Sequence, residues 1–400
     1  METRDAETLN GLLTLSPSER KARGLDHTPR EIAQQPETWL KTYQIVRDQR
    51  TELLSALEGT GVLGQAGAPR PVVLLLGAGT SDYVGGSVAP LLTKRWGCVA
   101  QSVPSTSLLT HSEDFIAAGQ RYLCISFSRS GASSEGVAVL DALLERHPDI
   151  QHLIVTCNGD GPMAKNYTGS AQVTRLVLDD SVNDRGLAMT SSFSNMVVAA
   201  QCLAHLEDLD GYGELVPELS KAADRMLERA APVCAGLSNS SQICFLGSGA
   251  LYSAARESAL KVLELTAGRV RTFSETFLGV RHGPLSALNA RVLLVGYVSG
   301  DPVRRAYELD LLEEVREKRL VERMVAVLAV PDPRAERLSD QSIALDLDAR
   351  LGDDYRPVLD VIFAQLLGLF ASLRHGLQPD APSPNGVIRR VVTGLRLHGK

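Results

Sequence analysis

Short apolar runs, each closed by glycine or an acidic turn, recur along the chain. Val72-Val-Leu-Leu-Leu76 runs into GAGTSD and Tyr122-Leu-Cys-Ile125 into SFSRSG. His152-Leu-Ile-Val-Thr156 runs into CNGDG, and Thr174-Arg-Leu-Val-Leu178 into two aspartates. Between them lie stretches of helical character such as Gly136–Arg146 (GVAVLDALLER). Continuous rather than alternating hydrophobicity predicts strands buried on both faces. Strand alternating with helix predicts βαβ units, hence an α/β fold with a parallel sheet.

The pattern then starts again. Ile243-Cys-Phe-Leu246 precedes GSGALYS, Val292–Val295 precedes GYVSGDP, Met324–Val330 precedes PDP, and Ile343–Leu347 closes the set. Each of these strands follows its counterpart by about 170 residues, with Gly77 answered by Gly247 and Phe127 by Tyr297. An offset held over successive strands predicts two copies of one fold. Glu214–Cys234 has helical periodicity and is expected to join the copies. In HTPREIAQQPETW, Thr28 is the expected N-cap and Pro29 the first helical residue. The last residues, QPDAPSPNGVIRRVVTGLRLHGK, hold too much Pro and Gly for one regular element.

Composition narrows the classes. Forty-one basic and 47 acidic residues give a net charge of −6, with the basic residues dispersed. That leaves no footprint for nucleic acid and no polybasic patch for a membrane. The stretch METRDAETLN is polar, and no uninterrupted apolar run reaches the ~18–20 residues that span a bilayer. The six cysteines (Cys98, Cys124, Cys157, Cys202, Cys234, Cys244) lack CxxC or CxxH spacing. They are expected to be buried thiols of a cytoplasmic protein, with no metal site.

Two stretches carry candidate chemistry. SFSRSGASSEG places Ser128, Ser130 and Ser133 with Arg129 and Gly131 between a strand and a helix. Hydroxyls, close backbone and a helix N-terminus suit an anion, although a plain solvated loop has the same composition. The corresponding stretch of the second series, YVSGDPVRR, sets Asp301 where an anion would lie, and a carboxylate there repels phosphate. In ESALKVLELTAG, Glu257, Lys261 and Glu264 share one helical face. They form either a surface ion-pair stripe or a carboxylate tuned by an ammonium for proton transfer. His282, in RHGPL, is either a structural donor in a turn or a proton relay.

GAGTSD, SFSRSGASSEG and ESALKVLELTAG…RHGPL together resemble the sugar isomerase (SIS) domain family in tandem. Two groups are most similar by pattern: the isomerase half of glutamine:fructose-6-phosphate amidotransferase, and the AgaS-type galactosamine-6-phosphate deaminase/isomerases. The latter are also called tagatose-6-phosphate ketose/aldose isomerases. REIAQQPETW, VNDRGLAMTSSFSNM and PSPNGVIRRVVTGL resemble the AgaS group in particular. The resemblance implies two flavodoxin-like parallel-sheet α/β sandwiches. A helical N-terminal segment (1–50) precedes SIS domain 1 (51–212), which binds phosphate. A linking helix (213–236) leads to SIS domain 2 (237–376), which carries the catalytic helix and histidine, and a tail (377–400) lies over the site.

The resemblance also implies roles. Ser128, Arg129, Ser130 and Ser133 hold the phosphate, and Thr80 and Ser81 contact it from the first loop. Glu264 moves a proton between C1 and C2, with Lys261 and Glu257 beside it, and His282 opens the sugar ring. In the amidotransferase that histidine comes from a partner subunit, which implies at least a homodimer with composite sites. Two positions depart from the amidotransferase pattern. Thr393 stands where its tail has a closing lysine, and Thr190 substitutes for a sugar-contacting serine. With no cysteine before Cys98, glutamine-fed synthesis is not expected. The leading expectation is conversion of galactosamine-6-phosphate to tagatose-6-phosphate and ammonia without a cofactor. A nitrogen-free aldose–ketose isomerase and a catalytically silent sugar-phosphate sensor are the alternatives.

Overall fold

The computed structural model describes residues 8–63, 70–392, 394, 396 and 398. Thr393 lies outside them. Two five-stranded parallel sheets form. The first contains β1 (Val72–Gly77), β2 (Ala100–Pro104), β3 (Tyr122–Ser128), β4 (Gln151–Thr156) and β5 (Val173–Val177), in the order β2-β1-β3-β4-β5. The second contains β6 (Gln242–Gly247), β7 (Arg271–Thr276), β8 (Val292–Val298), β9 (Arg323–Leu328) and β10 (Gln341–Ala344), in the order β7-β6-β8-β9-β10. Both have the doubly wound 2-1-3-4-5 order, in which loops at the strand carboxyl ends form the crevice.

Seven of the ten strands coincide with the apolar runs, and β10 shares only Ile343 and Ala344 with the run Ile343–Leu347. The two others, β2 (AQSVP) and β7 (RTFSET), are polar edge strands, each bonded along one side only. Where β1 and β6 end, Gly77 and Gly247 lie so close to the following helix that a Cβ would come within 2.3 Å and 2.2 Å of its backbone. No larger residue fits there without moving the helix start.

Packing divides the chain into two compact units that are discontinuous in sequence. One comprises the residues up to Glu37, Asp184–Thr190 and Leu215–Ile388. The other comprises Thr38–Asn183, Ser191–Glu214 and the end of the chain from Arg389. The segment expected to join the copies is a helix over Val216–Leu237, packed within the first of these units against the helix Pro357–Arg374. The latter helix is long and apolar enough to cross a membrane, but 89% of its residues are buried among its neighbours, as a core helix requires.

Thr28 is not the N-cap expected. The helix runs Thr28–Ala33 with His27 before it, and the Thr28 hydroxyl donates to Asp380 at 2.8 Å. The Asp380 carboxylate also accepts the Thr28 amide at 2.8 Å, so this helix start is capped from the far end of the sequence. Glu31, on the same helix, accepts the amides of Arg185 and Gly186, which ties down the Asp184–Thr190 excursion. Burial, and then the Asp184 charge, push the Glu31 carboxyl up to about 8. All six cysteines are buried free thiols.

His152, on β4, is buried with no hydrogen-bond partner for either ring nitrogen. Desolvation pushes its imidazole down from 6.5 to about 4. Between those values the unfolded chain takes up a proton that the folded chain refuses. The contribution is therefore complete above pH 6.5 and is lost as pH falls toward 4. On this basis the wild type should lose up to about 2 kcal/mol more than His152→Leu between pH 7 and pH 5. Urea unfolding at the two pH values measures this, and equal losses would remove His152 as a cause.

Candidate active site

β3 ends at Ser128, and the chain turns through Arg129–Ala132 into the helix Ser134–Arg146. Gly131 takes the left-handed conformation (φ +58°) that this turn requires. Within the loop, the Ser128 hydroxyl accepts the Gly131 amide at 3.0 Å and the Ser130 hydroxyl accepts the Ala132 amide at 3.2 Å. Ser133 is the helix N-cap, accepting the Gly136 amide at 3.3 Å. A hydroxyl that accepts from backbone keeps its proton for another acceptor. Three such hydroxyls at a helix N-terminus suit an anion.

The loop is also supported from the next strand. Asn158 Nδ2 donates to the Ser130 carbonyl at 2.9 Å and the Met163 amide to the Gly131 carbonyl at 2.9 Å. A Cβ on Gly161 would come within 2.5 Å of that Ser130 carbonyl. With Ser128 and Arg129 both buried, this is a built loop, not the plain solvated one. On the neighbouring strand β1, Gly79 (φ +57°) turns the chain into the helix Thr80–Trp96, whose first residues, Thr80 and Ser81, are buried. Because β1 and β3 pair directly, both helix N-termini stand at the same end of the sheet.

Arg129 has a further partner. Its guanidinium donates to the Arg390 carbonyl, and Arg390 in turn donates to the Asn183 side-chain oxygen at 2.6 Å. Arg390 is thus fastened to the serine loop within one unit. Thr190 is fully buried, with its amide on Asp184 at 2.7 Å and its hydroxyl donating to the same carboxylate at 3.3 Å.

The corresponding loop after β8 is already filled. Asp353 accepts the Gly300 amide at 2.8 Å, the Ser299 hydroxyl, and the Arg304 guanidinium at 2.7 Å. Glu308 accepts the Ser299 amide at 2.6 Å, and burial pushes its carboxyl up to about 7. Asp301 caps the helix Pro302–Glu317 by accepting the Arg304 amide at 2.9 Å, and the backbone hydrogen bond holds its carboxyl below the usual range, so it stays charged in the loop. Glu308 and Asp353 thus occupy the Ser299 and Gly300 amides of this loop. Neither carried a local sequence signal.

Glu257, Lys261 and Glu264 lie on the helix Ala250–Leu265. Lys261 Nζ is 3.3 Å from the Glu257 carboxylate and donates to Glu264 at 2.6 Å. The surface-stripe alternative is overturned, because the Lys261 and Glu257 side chains are 0% exposed and only Glu264 retains 25%. A buried ammonium thus holds one sequestered carboxylate and one that solvent or a ligand can reach. That is a suitable arrangement for a proton carrier. The helix Pro357–Arg374 packs closely on this helix at Gly368, where a Cβ would meet Leu265 at 2.7 Å. His282 follows a short 3-10 turn after β7 and is exposed, its amide donating to the Gly279 carbonyl at 2.9 Å. Among the described residues, no group of three or more His, Cys, Asp or Glu is arranged to hold a metal ion.

No family model matches the chain. It is 34% identical to the D-galactosamine-6-phosphate deaminase AgaS of Escherichia coli, covering 93% of this chain and 95% of that one. It is 31% identical to the protein of the same name from Shewanella sp. (strain ANA-3), over 96% and 95%. The solved tagatose-6-phosphate ketose/aldose isomerase of Escherichia coli superposes with a TM-score of 0.83, at 32% identity over 93% of this chain and 96% of that one. With the same fold as that isomerase and about a third of its residues shared along nearly all of both chains, this chain belongs to the AgaS family of sugar-phosphate deaminases and isomerases.

Proposed function

We propose that the protein converts galactosamine-6-phosphate to tagatose-6-phosphate and ammonia. The observation that carries the reading is the Lys261-held Glu264, a partly exposed carboxylate beside a fully buried ammonium. The names of its relatives support the substrate class. In this reading the hydroxyls of Ser128, Ser130 and Ser133, with Thr80 and Ser81, bind the phosphate, and Arg129 links that loop to the chain end. Remote binding of the phosphate fixes the reacting carbons.

His282 passes the ring-opening proton. Glu264 then takes the C2 proton of the open aldose, giving a C1–C2 enolamine, and returns it to C1. A proton also passes from the nitrogen to the C1 oxygen, and the product is a C2 imine with a C1 hydroxymethyl group. Water adds to the imine carbon, and ammonia leaves with the C2–N bond pair and a proton, giving the ketose. Lys261 stabilises the oxygen charge that develops at C1, and Glu257 balances the charge of Lys261. Thr190, whose hydroxyl is engaged by Asp184, acts by shaping its loop.

The exposed His282 ring favours a composite site. A proton relay works best out of bulk water, so the reading includes a homodimer in which a partner surface covers it. The constant spacing of the two sheets is read as a tandem repeat, and the six unpaired thiols as those of a cytoplasmic protein.

Incubation with galactosamine-6-phosphate should release ammonia and ketose phosphate in equal amounts. Turnover of tagatose-6-phosphate to its aldose, with no ammonia from the amino sugar, would replace the deaminase by the nitrogen-free isomerase. Binding of both compounds without turnover of either would leave a sensor.

A further inference from the structure

The helix Ala250–Leu265 and the helix Thr80–Trp96 hold the same place on their own sheets. Each follows the first strand through a glycine of nearly identical conformation, Gly79 at φ 57°, ψ −125° and Gly249 at φ 59°, ψ −128°. The strand registers agree at the same spacing, with Leu76 opposite Ser126 in one sheet and Leu246 opposite Gly296 in the other. Glu257, Lys261 and Glu264 therefore stand where the first helix has Ser87, Leu91 and Lys94. A second difference accompanies this one. The hydroxyls of Ser258 and Tyr297 lie 2.6 Å apart, both fully buried. Their counterparts are Val88 and Phe127, also buried, and apolar. The architecture thus packs without a polar pair here, and has one where the helix carries the carboxylates.

We infer that the Ser258–Tyr297 hydrogen bond pins the acid–base helix to β8, making both residues positioning residues for Glu257, Lys261 and Glu264. The inference rests on the proposed reaction. An apolar contact is non-directional and lets a helix slide or roll by fractions of an ångström. A buried hydroxyl pair fixes distance and direction together. Ser258 lies next to Glu257 and three residues before Lys261, so the pin acts on the face that sets the ammonium. Misplacement by about 1 Å can cost ~10²-fold in rate, which gives such a pin its value.

The double variant Ser258→Val/Tyr297→Phe restores the apolar pair that the other sheet already tolerates. It should fold with wild-type or higher thermal stability while kcat falls about 10-fold or more and KM stays within about twofold. Tyr297→Phe alone leaves the Ser258 hydroxyl buried without that partner, and should be less stable than the double variant. Unchanged kcat in the double variant would overturn the inference. So would a loss of kcat that merely follows a loss of thermal stability. Glu264→Gln, measured alongside, separates the two layers. If it retains full turnover, the reaction assignment fails, and hydrogen exchange over residues 257–264 decides the pin instead. Faster exchange there in the double variant supports it, and unchanged exchange overturns it.

Discussion

Glu264→Gln should lower kcat by about 10³-fold and leave KM within a few-fold, because the substitution removes the proton carrier but keeps size and polarity. About 4 kcal/mol of transition-state stabilisation is at stake. Stability should change little. The Glu264 side chain is 25% exposed, and a glutamine carbonyl still accepts from Lys261. Steady-state ammonia and ketose assays with a binding measurement check this. Full activity would remove Glu264 from the mechanism. A large rise in KM at constant kcat would make it a binding group.

Lys261→Met should be damaging in a different way. The ammonium lies 3.3 Å from Glu257, and both side chains are 0% exposed. Removing one member of a buried ion pair costs about 3–5 kcal/mol. Unfolding by urea should show a loss of that size, and activity should fall along with it. Glu257→Gln added to Lys261→Met neutralises the other member of the pair and should recover much of the stability. Activity should stay low, since no cation remains to stabilise oxygen charge. If the single variant were as stable as wild type, the pair would not be holding the helix. If the double variant regained activity, Lys261 would have no part in the chemistry.

The central strands were legible because burial on both faces leaves no polar alternation to obscure them. The edge strands β2 and β7 were not, since AQSVP and RTFSET carry the polarity of loops and gain strand form only from one neighbour. The serines of the anion loop announced themselves through composition beside a strand. Glu257, Lys261 and Glu264 were visible as one helical face, but spacing is the same on a surface and in a core. Burial is decided by packing partners such as the helix that approaches theirs closely at Gly368, more than a hundred residues away. Asp353 and Asp380 also act over long gaps, the first filling the β8 loop from 53 residues away and the second capping the Thr28 helix from 352. Periodicity reports neighbours along one element, so contacts made by tertiary packing leave no trace in it.

The most direct test uses the slow variant as a trap. A crystal structure of Glu264→Gln with galactosamine-6-phosphate should show the phosphate on the hydroxyls of Ser128, Ser130 and Ser133. The carboxamide introduced at position 264 should lie within about 3.5 Å of the sugar's C1 and C2, the range of a reacting contact. A phosphate bound elsewhere, or carbons out of reach of position 264 in either chain of an assembly, would contradict the account.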